Sequence, residues 1–168
     1  MLESEVNLVT MDDLLSPSEC SFLTSYMHTR KYYPYNDTKF IQLIDVPFYH
    51  LRVKFLWERY KRAVRKIVPK LKLSYGQLVW WVDGASKGFH IDVDYPPSRE
   101  TGCGRVDWAS IVYLNEKFVG GETKIEDNIF KPKTGKLVLF NSKKLRHAVI
   151  EVYGNRYTFM AWWAEVEK

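Results

Sequence analysis

The chain of 168 residues is 46% hydrophobic and 15% aromatic, which suffices for one sizeable buried core and excludes a disordered, polar tail as its main feature. Its net charge of +5 mildly favours an acidic partner, although surplus charge on a protein is commonly solvated surface. The two cysteines, Cys20 and Cys103, lie far apart without a CxxC partner, so reduced thiols are expected and a disulfide frame or cysteine metal site is not.

The opening MLESEVNLVTMDD lacks the basic start and apolar run of a signal peptide. No later stretch approaches the ~18 apolar residues that span a bilayer, so a soluble, cytoplasmic protein with no membrane partner is expected. SPSE (Ser16 to Glu19) is a capping box with proline at the first helical position, and it opens a helix carrying Cys20, Phe22, Leu23 and Tyr26. After the turn-like YYPYND, a second helix is predicted from near Asp45-Val46-Pro47 to about Val68, where Pro69 ends it. Tyr49, Val53, Trp57, Tyr60, Val64 and Ile67 recur at helical spacing and read as a packing face, with Arg52, Arg59, Arg62 and Lys66 mainly elsewhere. Residues 1–72 thus form a helical support.

From about residue 73 the pattern changes to short β-branched and aromatic runs: QLVWWV, FHIDV, WASIVYLN, GETKI, NIFKP, KLVLF, HAVIEV and RYTFMAWWAEV. Turn signals separate them, among them Asp83-Gly84, Gly120-Gly121, Thr134-Gly135 and Tyr153-Gly154-Asn155. Eight short strands after two helices predict a mainly β, single-domain jelly roll (73–168) backed by helices, which hides its edges and encloses a small-ligand cavity.

Within GFHIDVD (88–94), strand alternation puts His90, Asp92 and Asp94 on one face and Phe89, Ile91 and Val93 on the other. H-x-D alone is a weak signal, because a hydrogen-bonded His/Asp pair is its commoner explanation. A second histidine strengthens it: His147 opens HAVIEV, leaving only His28 and His50 in the helical region. His90, Asp92 and His147 would make a two-histidine, one-carboxylate face suited to non-haem Fe(II), with three positions open. Zinc could use the same ligands, but no HExxH-like glutamate is offered beside it.

Arg156 starts the last strand, sharing one face with Thr158, Met160 and Trp162. If that face is the barrel interior, its guanidinium requires an anion. A carboxylate held through two N–H donors is one solution, with Tyr113 adding its phenol hydrogen. An internal ion pair with an acidic side chain such as Glu122 is the other.

In this order, HID, SIVYLNEKFVGGET, KPKTGKLVLF, HAV and GNRYTFMAWW resemble the 2-oxoglutarate- and Fe(II)-dependent oxygenases, specifically their prolyl 4-hydroxylase-like branch, and VTMDDLLSPSECSFL resembles that branch's leading segment. The resemblance implies a double-stranded β-helix with Fe(II) on His90, Asp92 and His147, and with Arg156 and Tyr113 on the distal carboxylate of 2-oxoglutarate. Arginine at 156 looks more like the oxygen-sensing prolyl hydroxylases than the collagen-type members, which generally carry lysine. Trp162 matches a tryptophan that lies by the substrate in this branch, with plain core packing as the competing reading. Trp81 and Arg99 are further candidates for the substrate side. The stretch before the first histidine departs from the branch, since Trp81 and Lys87 replace two tyrosines while Gly84 is kept. Asp94 is expected to be a loop or supporting residue.

The chemistry implied is hydroxylation of an unactivated C–H with O2 as second co-substrate, and ascorbate as a reductant. A prolyl residue in a protein or peptide is the expected target, and the loop DYPPSRETGCGR (94–105) is long enough to act as a lid. The alternatives are a small molecule, a nucleobase, or a non-catalytic cupin-like ligand-binding module. The basic clusters at 61–72, 131–136 and 143–146 would suit nucleic acid, whereas the chain lacks the second arginine and N-L-T-F-R-like ending of the alkylated-base demethylases.

Overall fold

The computed structural model describes residues 7–99 and 101–166, so Glu100 of the predicted lid and the first six residues of the opening segment lie outside the described residues. The expected helix after SPSE is α1 (Pro17–His28). Ser16 Oγ accepts from the Glu19 N–H and the Glu19 carboxylate accepts from the Ser16 N–H, which closes the capping box. The second helix, α2 (Leu51–Ile67), begins later than predicted. Residues Leu43–Asp45 form one 3-10 turn, and Phe48 and Tyr49 stand exposed before the helix. Pro47 lacks an N–H and disfavours a helical residue before it, so the first stable turn waits for Leu51. Tyr49 therefore drops out of the packing stripe, while Val53, Leu56, Trp57, Tyr60 and Val64 are buried as one face.

The N-terminal third is not purely helical. Strand β1 (Leu8–Met11) precedes α1, and YYPYND is a hairpin of β2 (Tyr33–Tyr35) and β3 (Thr38–Gln42) turning at Asn36, whose φ is +49°. Its exposed tyrosines and internal Pro34 hid it from a pattern search, and proline is tolerated there because β2 is an edge strand.

The remaining strands, except the unpredicted β7 (Val119–Gly120), follow the predicted runs with shifted ends: β4 (Leu71–Trp81), β5 (Lys87–His90), β6 (Trp108–Tyr113), β8 (Thr123–Ile125), β9 (Asn128–Phe130), β10 (Leu137–Phe140), β11 (His147–Val149), β12 (Val152–Tyr153) and β13 (Arg156–Glu165). Thus thirteen strands form among the described residues, and HAVIEV splits in two. The large sheet has the order β1-β10-β6-β13-β4-β3-β2, a smaller one β5-β11-β8-β9, and β12 pairs with β7. This is the mainly antiparallel, two-sheet roll backed by two helices that the sequence predicts.

Period-two alternation on β13 sorts the interior. Tyr157, Phe159, Ala161 and Trp163 face the helices and join the core around Leu23, Trp57 and Tyr60. Gly76 is required there, since a Cβ would collide with the Trp57 indole. The opposite face of β13 looks between the sheets, where Ala109, Ile111, Ile125, Val138 and Phe140 form a second cluster. In β4, alternation is broken once: Trp162 pairs with Tyr75 but Trp163 pairs with Leu73, so Ser74 is an extra, bulged residue. Leu71 and Leu73 accordingly pack toward the helices, whereas Tyr75, Gln77, Val79 and Trp81 line the space between the sheets. No helix among the described residues is long and apolar enough to cross a membrane.

Candidate metal centre and co-substrate site

One cavity of about 840 Å³ opens between the two sheets, walled by β4, β13 and the β2–β3 hairpin on one side and by residues 86–99 and β11 on the other. Its metal end is built on the small sheet. β5 ends at His90, so Asp92 lies just past it rather than inside a strand, and its N–H donates to Ser142 O. His147 is the direct cross-strand partner of His90. Distant sequence positions meet because β5 and β11 are antiparallel neighbours.

The apolar face of this stretch is the outer one: Phe89, Ile91 and Val93 are exposed, while Asp92 and His147 are buried and His90 is half-buried. His90 Nδ1–H donates to Gly88 O (2.8 Å) and His147 Nδ1–H to Leu145 O (3.2 Å). Both bonds fix the tautomer that leaves Nε2 as a lone pair. The two Nε2 atoms stand 3.7 and 3.6 Å from Asp92 Oδ1, and the three ligand atoms lie within 4.8 Å of one another. A cation bonded at about 2.0–2.2 Å to each atom bridges such separations. Burial holds His90 below its ordinary pKa, which keeps the ring neutral and able to bind metal. Burial raises Asp92, but His147, Ser142 and His90 together outweigh this, leaving the carboxylate below its usual range and ionised. These donors fit Fe(II), the residue set of a two-histidine, one-carboxylate centre.

Arg156 sits on the opposite wall. It is fully buried, its guanidinium lies 4.9 Å over the Trp81 ring and 5.4 Å from the Tyr113 ring, and Nη2 donates to Thr123 Oγ1 (3.2 Å). Nε and Nη1 have no partner, and no carboxylate, Glu122 included, is within salt-bridge distance of Arg156 among the described residues. The internal ion pair is thereby removed. A buried cation with two orphaned nitrogens fits an incoming carboxylate. Burial pulls its pKa down to about 10, still cationic at neutral pH. Arg156 is closed to bulk solvent yet belongs to the lining of the cavity, beside Trp81 and Met160.

The other predicted residues divide. Tyr113 is buried beside Arg156, but its hydroxyl donates to Thr123 Oγ1 (2.7 Å), making Thr123 the shared acceptor of both. Thr123 was missed, although it stands in GGET. Gly121, at φ +67°, explains that motif: a Cβ there would press on Phe118 and lie 3.0 Å from Arg156 Cδ, so glycine admits the arginine. Trp81 lines the cavity as the floor under Arg156. Trp162 lines it too, stacked on Tyr75 (4.6 Å, 17°), and its Nε1–H donates to Asp92 Oδ2 (3.1 Å). Arg99 is on the rim, ion-paired with Asp45 (3.0 Å). Asp94 turns away from the metal ligands and accepts from the Val106 N–H and Lys143. His28 bonds Tyr157 Oη and His50 bonds Tyr26 Oη, both outside the site.

The model of the 2OG-Fe(II) oxygenase superfamily matches residues 76–164, just over half of the chain. The chain belongs to this superfamily. Its members take Fe(II) and 2-oxoglutarate, and in this oxygenase His90, Asp92 and His147 can hold the iron. No curated protein is similar to the chain in sequence. Solved structures share the fold at low identity. A viral collagen prolyl hydroxylase from Paramecium Bursaria Chlorella virus-1, in complex with 2-oxoglutarate, is 18% identical with a TM-score of 0.73, over 99% of this chain and 100% of that one. A prolyl hydroxylase from Trichoplax adhaerens, in complex with a peptide of the hypoxia inducible factor oxygen degradation domain, is 14% identical with a TM-score of 0.75, over 96% and 84%. HygX from Streptomyces hygroscopicus, with nickel, 2-oxoglutarate and hygromycin B bound, is 12% identical with a TM-score of 0.69, over 95% and 83%.

Proposed function

We propose that this oxygenase hydroxylates a prolyl residue in a protein or peptide, with Fe(II) on His90, Asp92 and His147 and the distal carboxylate of 2-oxoglutarate on Arg156. The observation that carries the reading is the pairing within one cavity of the His–Asp–His ligand face and a buried guanidinium lacking its anion. Iron, 2-oxoglutarate and O2 supply the oxidant for an unactivated C–H, with loss of CO2 and formation of succinate; ascorbate would serve only to keep the iron reduced.

The chain's own residues do the rest. The two Nδ1–H bonds aim the imidazoles. Arg156, positioned by Thr123 and the Trp81 ring, fixes one end of the co-substrate, and Tyr113 supports it through the same threonine. The rim offers two flanks for an extended chain: the β2–β3 hairpin, with Tyr35 and Thr38, and the 94–105 loop, with Tyr95, Pro96 and Arg99. The loop is pinned rather than loose. Ser98 Oγ and Thr101 Oγ1 both donate to Ser74 O (2.7 and 2.8 Å), the carbonyl of the β4 bulge.

A small-molecule substrate is the second reading, favoured by a cavity whose volume of about 840 Å³ lies in the range of small-ligand sites. The three basic clusters do not favour nucleic acid. Much of 61–72 belongs to α2, which packs on the helix-side face of the sheet, away from the cavity. Lys133 and Lys136 pair with Asp12, Lys143 with Asp94 and Asp107, and Arg146 with Glu126.

The test is substrate-stimulated succinate production, with proline peptides set against small molecules and single-stranded or duplex nucleic acid at two salt concentrations. Stimulation by peptide, with a mass gain of one oxygen on proline and little salt dependence, is expected. Stimulation by nucleic acid alone, steeply salt-dependent and lost when Lys143, Lys144 and Arg146 are neutralised, would overturn the reading.

A further inference from the structure

The Trp162 indole does something that a substrate-facing ring or a packing residue need not do. Its N–H is committed to Asp92 Oδ2 (3.1 Å), while Asp92 Oδ1 is the oxygen facing both imidazole Nε2 atoms at 3.7 and 3.6 Å. A free carboxylate can bind a metal through one oxygen or two, and occupying one oxygen with a hydrogen bond selects the other. The indole is itself held flat: it stacks on Tyr75 at 4.6 Å and 17°, and Tyr75 is backed edge-on by Tyr95 at 5.4 Å. The β4 bulge at Ser74 turns Tyr75 toward the cavity to make that stack.

We infer that Trp162 is a positioning residue, holding Asp92 Oδ2 so that the carboxylate presents Oδ1 alone to the metal and leaves a coordination position open. This rests on the proposed iron role of His90, Asp92 and His147. Substrate then meets only the ring of Trp162, its polar atom being already engaged.

The experiment uses the full chain, freed of metal, with Co(II) as the probe. Trp162→Phe keeps an aromatic ring on Tyr75 and deletes the N–H. Loss of a group supporting a metal ligand typically weakens binding about 10- to 100-fold, and that fall in Co(II) affinity is expected here. The visible Co(II) band should also change as Oδ2 becomes free to bind. An unchanged affinity and spectrum in Trp162→Phe overturns this inference alone. A wild-type chain that binds no Co(II) overturns the iron reading and this inference with it. A metal-free arm covers a variant that does not fold: the indole 15N–1H resonance of Trp162 should move on Asp92→Ala, and a resonance that stays in place shows that the contact is not made.

Discussion

Replacing Arg156 by methionine should move stability and co-substrate affinity in opposite directions. In the chain without 2-oxoglutarate the guanidinium is fully buried, with Nε and Nη1 unsatisfied. The lowering of its pKa to about 10 corresponds to roughly 3 kcal/mol against the charged form. Methionine removes that cost but leaves some space and takes one of two donors from Thr123 Oγ1, which keeps the Tyr113 hydroxyl, so a net gain of about 1–2 kcal/mol is expected, or about 2–8 °C in melting temperature. The bound dicarboxylate gives the opposite sign: truncating one partner of a buried charge pair costs about 2–5 kcal/mol, or roughly 30-fold to a few thousandfold in Kd. Anaerobic titration of 2-oxoglutarate into the Fe(II) protein, followed by its visible charge-transfer band, measures the second quantity, and calorimetric melting of the metal-free protein measures the first. An Arg156→Met chain that melts lower and binds 2-oxoglutarate as the wild type does would make the arginine a structural residue and refute the reasoning.

His90→Ala, Asp92→Ala and His147→Ala should each abolish Fe(II)-dependent turnover of 2-oxoglutarate in folded protein, while His28→Ala and His50→Ala should leave it near wild type; succinate assays on protein freed of stray iron decide this. Gly76→Ala should destabilise by about 1–3 kcal/mol, read as a lower urea midpoint, because the new methyl collides with Trp57; an unchanged midpoint would mean the helix–sheet contact yields freely. The double change Ser98→Ala with Thr101→Ala removes both hydroxyls from Ser74 O at about 1 kcal/mol each, and should speed tryptic cleavage at Arg99 or Arg105 without altering Co(II) binding.

The chemistry was legible in the sequence where it rests on short-range geometry. The i, i+2 spacing of His90 and Asp92 survives even though the strand ends at His90: Asp92 Oδ1 still lies 3.7 and 3.6 Å from the Nε2 atoms of His90 and His147. Capping at Ser16 was legible for the same reason. What escaped was set by tertiary partners. The β2–β3 hairpin has exposed aromatics and a proline, so no alternation marks it, and it is a strand only because β3 pairs with β4. The partners of Arg156 were read by type but not by identity: Tyr113 donates to Thr123, which also accepts from Arg156, across ten and thirty-three positions of sequence. Likewise, nothing in the spacing of Asp92 and Trp162, 70 positions apart, shows their hydrogen bond.

The Ser74 bulge connects these observations, and it explains why one strand serves the core and the site. Without it, period-two alternation would place Tyr75 on the same face as Leu71 and Leu73, toward the helices, since a one-residue slip exchanges the faces of a strand. With it, the first part of β4 builds the helix-side core and the second part builds the cavity wall. The bulged residue leaves the ladder, and a carbonyl outside the ladder needs donors of its own. Ser98 and Thr101 supply them, so the loop over the mouth is tied to the same residue that turns Tyr75 toward Trp162 and, through it, toward Asp92. The position of the 94–105 loop and the orientation of the metal carboxylate therefore share one structural cause, an irregularity in β4 that local sequence pattern does not announce.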